Sequence, residues 1–117
     1  MNKLIKDDSY RLQKIHFFCK SILDFTNGIT IDEFKQNEQI NFAISFALIQ
    51  IGEEASKITT DFREQHSHIP WINIIGMRHR IVHDYSGSKM KILWETATIS
   101  IPQLLRKINK TQESDSK

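Results

Sequence analysis

A chain of 117 residues, 39% hydrophobic and 26% charged, suits one domain and is too short for a TIM barrel or a dinucleotide fold with a substrate domain. Four glycines and two prolines are too few for the closely spaced turns of an all-β sandwich, so an all-helical domain is expected. Sixteen Lys and Arg against fourteen Asp and Glu leave a formal charge of +2, which excludes a broad DNA-coating surface but leaves room for a small basic site.

Cys19 stands alone, so neither an intrachain disulfide nor a Cys-based zinc module is expected, and a reducing compartment fits. The first residues carry no signal-peptide pattern, and no window approaches the ~18 apolar residues of a membrane span. The expectation is a cytoplasmic protein with no membrane partner.

Four helical segments follow in chain order. Leu12, Ile15, Cys19 and Ile22 repeat at spacings of three and four and predict a helix over 7–25. Asn27-Gly28 should end it, and Thr30-Ile31-Asp32-Glu33 is a capping-box pattern that should start a short helical turn. A second helix is predicted over 37–60. Its centre, 42–51, is apolar at most positions, which implies burial on more than one face and contact with a second subunit. Gly52 costs about 1 kcal/mol against Ala in such a helix, and close helix–helix approach is the expected compensation. The polar stretch 61–68 reads as a linker. Pro70 suits the first turn of a third helix, with Trp71, Ile74, Ile75, Met77, Ile81 and Val82 on its apolar side and an end near 85–87. Met90, Trp94, Ala97, Ile101, Leu104 and Ile108 mark a fourth helix over 88–108, bent or broken at Pro102. Residues 1–108 thus form an antiparallel helical bundle, and the polar tail 109–117 is expected to be disordered.

The chemistry concentrates in Arg78-His79-Arg80-Ile81-Val82-His83-Asp84-Tyr85. At about 100° per residue, Arg78, His79, His83 and Tyr85 border one groove if the helix persists, while Arg80 and Ile81 point elsewhere. Arg offers a permanent charge matched to phosphate, and His titrates near neutrality. RNA brings its own nucleophile, the 2′-hydroxyl, so such a set is able to cleave it without a metal. The bland alternative is that these groups are helix caps, dipole partners or solvated surface. His79 and His83, at i and i+4, also have metal-ligand spacing, but no third ligand stands on the same helix. Glu53 and Glu54 are better read as solvated or as supports for a neighbouring Arg than as an acid–base pair. Trp71, Trp94, Met77 and Met90 read as core.

Arg78, His83 and Tyr85 match the Arg-x4-His-x-Tyr motif, and here the chain resembles the HepT-like proteins, toxin members of the HEPN superfamily. Ile51-Gly52-Glu53-Glu54-Ala55 is similar to the stretch on that family's preceding long helix. Ile69-Pro70-Trp71 with Gly76-Met77-Arg78 resembles its lead into the motif helix, and Trp94 with Ile101-Pro102-Gln103-Leu104 resembles its last helix. Together the resemblance covers roughly residues 5–108. It implies an all-α HEPN bundle of four to five helices, a homodimer with two motif helices facing across a cleft, and a metal-independent ribonuclease toxin of a type VII toxin–antitoxin pair. Arg78 and His83 would be catalytic, with His79 as a weaker site residue. The implied partner is a MntA-like nucleotidyltransferase antitoxin that transfers AMP from ATP to Tyr85. ATP would serve that partner, and this chain would need no cofactor. Glu54 stands where the family commonly has Ala, which would put a charge near the dimer face. The alternative function is a non-catalytic HEPN subunit that binds nucleotide or RNA within a nucleotidyltransferase complex.

Overall fold

In the computed structural model of the chain, residues 3–83 and 90–115 are described. The described residues are mostly helical and contain no strand. Helix α1 (Lys3–Thr26) ends where expected. Gly28 takes a φ of +78°, a left-handed conformation that its missing side chain permits, and the Ile29 N–H donates to the Thr26 carbonyl. Helix α2 (Ile31–Gln36) opens on a complete capping box. The Thr30 hydroxyl accepts from the Glu33 N–H at 3.2 Å, and the Glu33 carboxylate accepts from the Thr30 N–H at 3.0 Å.

The segment predicted as one helix over 37–60 divides. Helix α3 (Glu38–Ser56), capped by the Asn37 side chain, is followed by helix α4 (Thr60–Gln65). The break is held by a residue far away in sequence. Asp8, buried on α1, accepts from the Thr59 N–H at 2.9 Å and from its hydroxyl at 2.6 Å, while the same hydroxyl accepts from the Phe62 N–H to cap α4. Most of the expected linker is therefore helix, anchored by one buried apolar side chain, Phe62.

Helix α5 (Trp71–His83) starts just after Pro70, whose carbonyl accepts from the Ile74 N–H. The last rod has three parts: helix α6 (Met90–Glu95), a π-helical turn (Thr96–Ser100) and helix α7 (Ile101–Asp115). The expected break at Pro102 takes the form of the π turn. Pro102 has no N–H, and in a regular α-helix its ring would press on the carbonyl four residues back. The chain widens instead, and the Ile101 N–H donates to the Thr96 carbonyl, five residues back. The Thr96 and Thr98 hydroxyls donate to the carbonyls of Ile92 and Trp94 at 2.8 Å each, a pattern that loosens and bends a helix.

Helix α7 runs to Asp115 and so enters the stretch expected as a disordered tail. Two contacts draw it in. Thr111 is buried, donating to the Lys107 carbonyl and meeting the His68 ring, and Asn109 pairs with the His16 ring at 3.0 Å.

The core lies between α1, α3, α5 and the last rod: Leu12, Ile15 and Ile22 face Ile44, Leu48 and Ile51, with Ile74, Ala97, Ile101 and Ile108 closing the other side. Trp71 and Met77 are buried and Trp94 packs on Phe34, so these residues are core, as their spacing implied. Cys19 is wholly buried, and loss of solvation pushes its thiol up to about 12. Among the described residues no helix is long and apolar enough to cross a membrane.

Candidate active site

The motif helix α5 is placed by its crossing with α3. A Cβ on Gly52 would lie 2.8 Å from the Arg78 Cβ, 3.2 Å from the Ile74 carbonyl oxygen and 3.3 Å from the Arg78 N. The glycine therefore lets the two backbones meet at Arg78, which is the close approach its mid-helix position implied. Next along α3, the Glu53 carboxylate pairs with Nε of Arg78. Both side chains are partly open to solvent, at 51% and 33%, so the pair contributes only about 0–1 kcal/mol to stability. Its consequence is orientation. With Nε engaged, the Nη1/Nη2 edge of the guanidinium is left for a bidentate partner such as phosphate.

Glu54, one residue on, belongs to a different contact. It is buried between α1 and α3, where Arg11 Nη1 lies at 3.1 Å and Lys14 Nζ at 3.8 Å. It is thus answered by two cations, and no unpaired charge is offered to a dimer face. Each glutamate supports a neighbouring cation, as the sequence suggested. What the sequence did not single out is that Glu53 belongs to Arg78. The signal was present in Gly52, since the residue beside a close crossing is well placed to touch the facing helix.

The other predicted site residues follow along α5. His79 is exposed. The backbone from Arg78 to His83 is unbroken α-helix, with His83 as the last residue of α5. The His83 side chain and Tyr85 lie outside the described residues. Arg80 points away from Arg78, as helical geometry requires, and lines a groove against the last rod. Among the described residues no three His, Cys, Asp or Glu side chains converge as a metal site would need.

A second feature adjoins the Arg78–Glu53 pair. Phe42, Phe46, Ile49 and Glu53 recur at spacings of four, three and four, so they share one face of α3. Phe42 and Phe46 are 55% and 59% exposed. On α1, Tyr10 and Phe17 are similarly exposed, and Phe18 bridges the helices in an edge-to-face contact with Phe46 at 6.3 Å. The excess apolar character of α3 is therefore an aromatic face about half open to solvent that leads to the motif arginine.

The description of the family model that matches residues 15–111 is "Ribonuclease HepT-like". The chain belongs to this HepT-like family. Relatives extend over most of the sequence. "Putative RNase MJ0125" of Methanocaldococcus jannaschii is 35% identical over 85% of this chain and 85% of its own length. "Probable ribonuclease HepT" of Thermococcus cleftensis is 35% identical over 87% of this chain and 93% of its own. "Putative RNase TTE0752" of Caldanaerobacter subterraneus is 31% identical over 83% of this chain and 87% of its own. No solved structure matches. The HepT-like assignment agrees with the all-α HEPN bundle that the motif resemblance implied.

Proposed function

We propose that this HepT-like protein is an endoribonuclease whose phosphate-binding group is Arg78. The observation that carries this reading is the Arg78 guanidinium, brought to α3 by Gly52 and held at Nε by Glu53, on the helix that also carries His83. The names of its relatives support the same class of activity. In the reaction, the ribose 2′-oxygen attacks the adjacent phosphorus and the bond to the 5′-oxygen breaks. His83 takes the 2′-hydroxyl proton, and a proton returns to the departing 5′-oxygen. Arg78 stabilises the charge that builds on the phosphoryl oxygens. His79 orients the phosphate or His83. The products are a 2′,3′-cyclic phosphate and a 5′-hydroxyl, and the nucleophile comes from the substrate, so no metal is required.

The active form is a homodimer. The exposed aromatic face of α3 supports this, because it runs into Glu53 and a second copy covering it would bring a second Arg78–His83 set towards the same cleft. In the same reading the protein acts in the cytoplasm as the toxin of a type VII pair. A MntA-like nucleotidyltransferase antitoxin, using ATP, adenylylates Tyr85, and the added phosphate competes for the arginine.

The test is cleavage of cellular RNA by the unmodified protein with chelator present, beside His83→Ala. Cyclic phosphate ends that vanish in the variant are expected. A folded dimer that cuts no RNA would overturn the catalytic reading and favour a binding subunit of a nucleotidyltransferase complex.

A further inference from the structure

The flank of α5 opposite the α3 crossing forms one wall of a groove of about 450 Å³, within the ~300–1,000 Å³ of small-ligand sites. Two polar stripes face each other across it. Asn73 and Arg80 lie on α5, and Ser100, Gln103 and Lys107 lie on the last rod. The floor is core: Ile74, Met77, Ile101 and Leu104 are all buried. Among the described residues the lining holds two cations and no carboxylate. Neither Arg80 nor Lys107 has an ion-pair partner among the described residues, whereas Arg78 is engaged at Nε by Glu53. Asn73, Ser100 and Gln103 likewise make no side-chain hydrogen bond among the described residues. The widened turn Thr96–Ser100 supplies part of the far wall, the kind of local departure from α-helix that recurs at functional sites.

Two cations and three neutral polar groups, none paired among the described residues, over an apolar floor suit the phosphodiester and ribose of a nucleotide. The place suits a polymer. Arg78 and Arg80 sit on opposite flanks of one helix, a rod about 10–12 Å across, so a strand with one phosphate at Arg78 can lay a phosphate further along its backbone, beyond the adjacent one, in this groove. We infer that the groove is a second phosphate-binding site, in which Arg80 and Lys107 hold the backbone of a single-stranded RNA beside its point of cleavage. Ser100, Gln103 and Asn73 serve the ribose and the remaining phosphate oxygens. This rests on the ribonuclease reading and adds how the strand is gripped. It also accounts for RNA capture by a chain of small net charge, because the positive groups are concentrated where the strand crosses.

The experiment is a salt titration of binding. Full-length protein carrying His83→Ala, which stops turnover, is mixed with a labelled single-stranded RNA at increasing potassium chloride. Arg80→Gln/Lys107→Gln is then added to that background. Losing two phosphate contacts should flatten the slope of log affinity against log salt by about 1.4 and weaken binding roughly tenfold at low salt. Gln103→Glu, nearly the same shape, should weaken binding by putting a carboxylate in the groove. With His83 intact, the double variant should raise KM for a long RNA while leaving kcat and cleavage of a diribonucleotide unchanged. A merely structural role would not produce that split.

If wild type cleaves RNA but the double variant keeps its slope and affinity, the groove site falls and the ribonuclease reading stands. If AMP or ATP occupies the groove and the double variant loses it with the RNA slope unchanged, the site belongs to a free nucleotide and the strand assignment is overturned. If the protein neither binds nor cleaves RNA, both fall.

Discussion

Gly52 combines an energetic cost with a geometric requirement. An alanine there would gain about 1 kcal/mol of helix propensity. Its methyl would however meet the Arg78 Cβ at 2.8 Å and the Ile74 carbonyl at 3.2 Å, and neither is the yielding end of a long side chain. Overpacking of this kind costs about 1–3 kcal/mol, so the clash wins. Gly52→Ala should lower stability by about 1 kcal/mol in a urea titration. It should lower RNA cleavage by considerably more than that loss of folded protein explains, because the shift falls on the motif arginine. The glycine was legible in the sequence as a close-approach residue, since a mid-helix glycine otherwise brings only a cost. Its partner on the facing helix was not, because a glycine announces that something comes near without saying what.

At the scale of elements, the junction between α3 and α4 depends on α1. Asp8 accepts both the N–H and the hydroxyl of Thr59 from a buried position. Removing it takes the acceptor from both the N–H and the hydroxyl of the residue that caps α4. Asp8→Ala should cost about 2 kcal/mol of stability, read as a lower urea midpoint. Hydrogen exchange should quicken first in α4. The helix boundaries carried by local chemistry were readable: the start at Thr30 with Glu33 and the stop at Asn27-Gly28. The division of 37–60 was not, because its cause lies 51 residues away. The π turn falls between these cases. Pro102 announced a disturbance, but a kink, a break and a widened turn all accommodate a missing N–H. The chain takes the widened turn, with Ala97 and Ile101 both fully buried.

For the molecule as a whole, the surface is marked by the aromatic face of α1 and α3. Four large side chains, Tyr10, Phe17, Phe42 and Phe46, stand more than half exposed. Their burial against a second copy would contribute favourably at about 25 cal/mol per Å² of apolar area. Phe46→Asp should therefore give a folded monomer by light scattering, with unchanged helical content and no RNA cleavage. A dimer that persists in this variant would place the interface elsewhere. The excess apolar content of α3 was plain in the sequence, and in the single chain Phe42 and Phe46 remain more than half exposed. The direction in which it faces required the packed bundle, since the same helix also supplies Ile44, Leu48 and Ile51 to the core.

The position of Cys19 has a practical consequence. It is the chain's one thiol, wholly buried, and loss of solvation pushes it up and away from the reactive thiolate. A cysteine introduced on the surface would then be the fast-reacting thiol in an otherwise silent background. A spin label at Lys57, exposed just beyond the end of α3, would report its separation from the same label on a second copy without any native cysteine having to be removed.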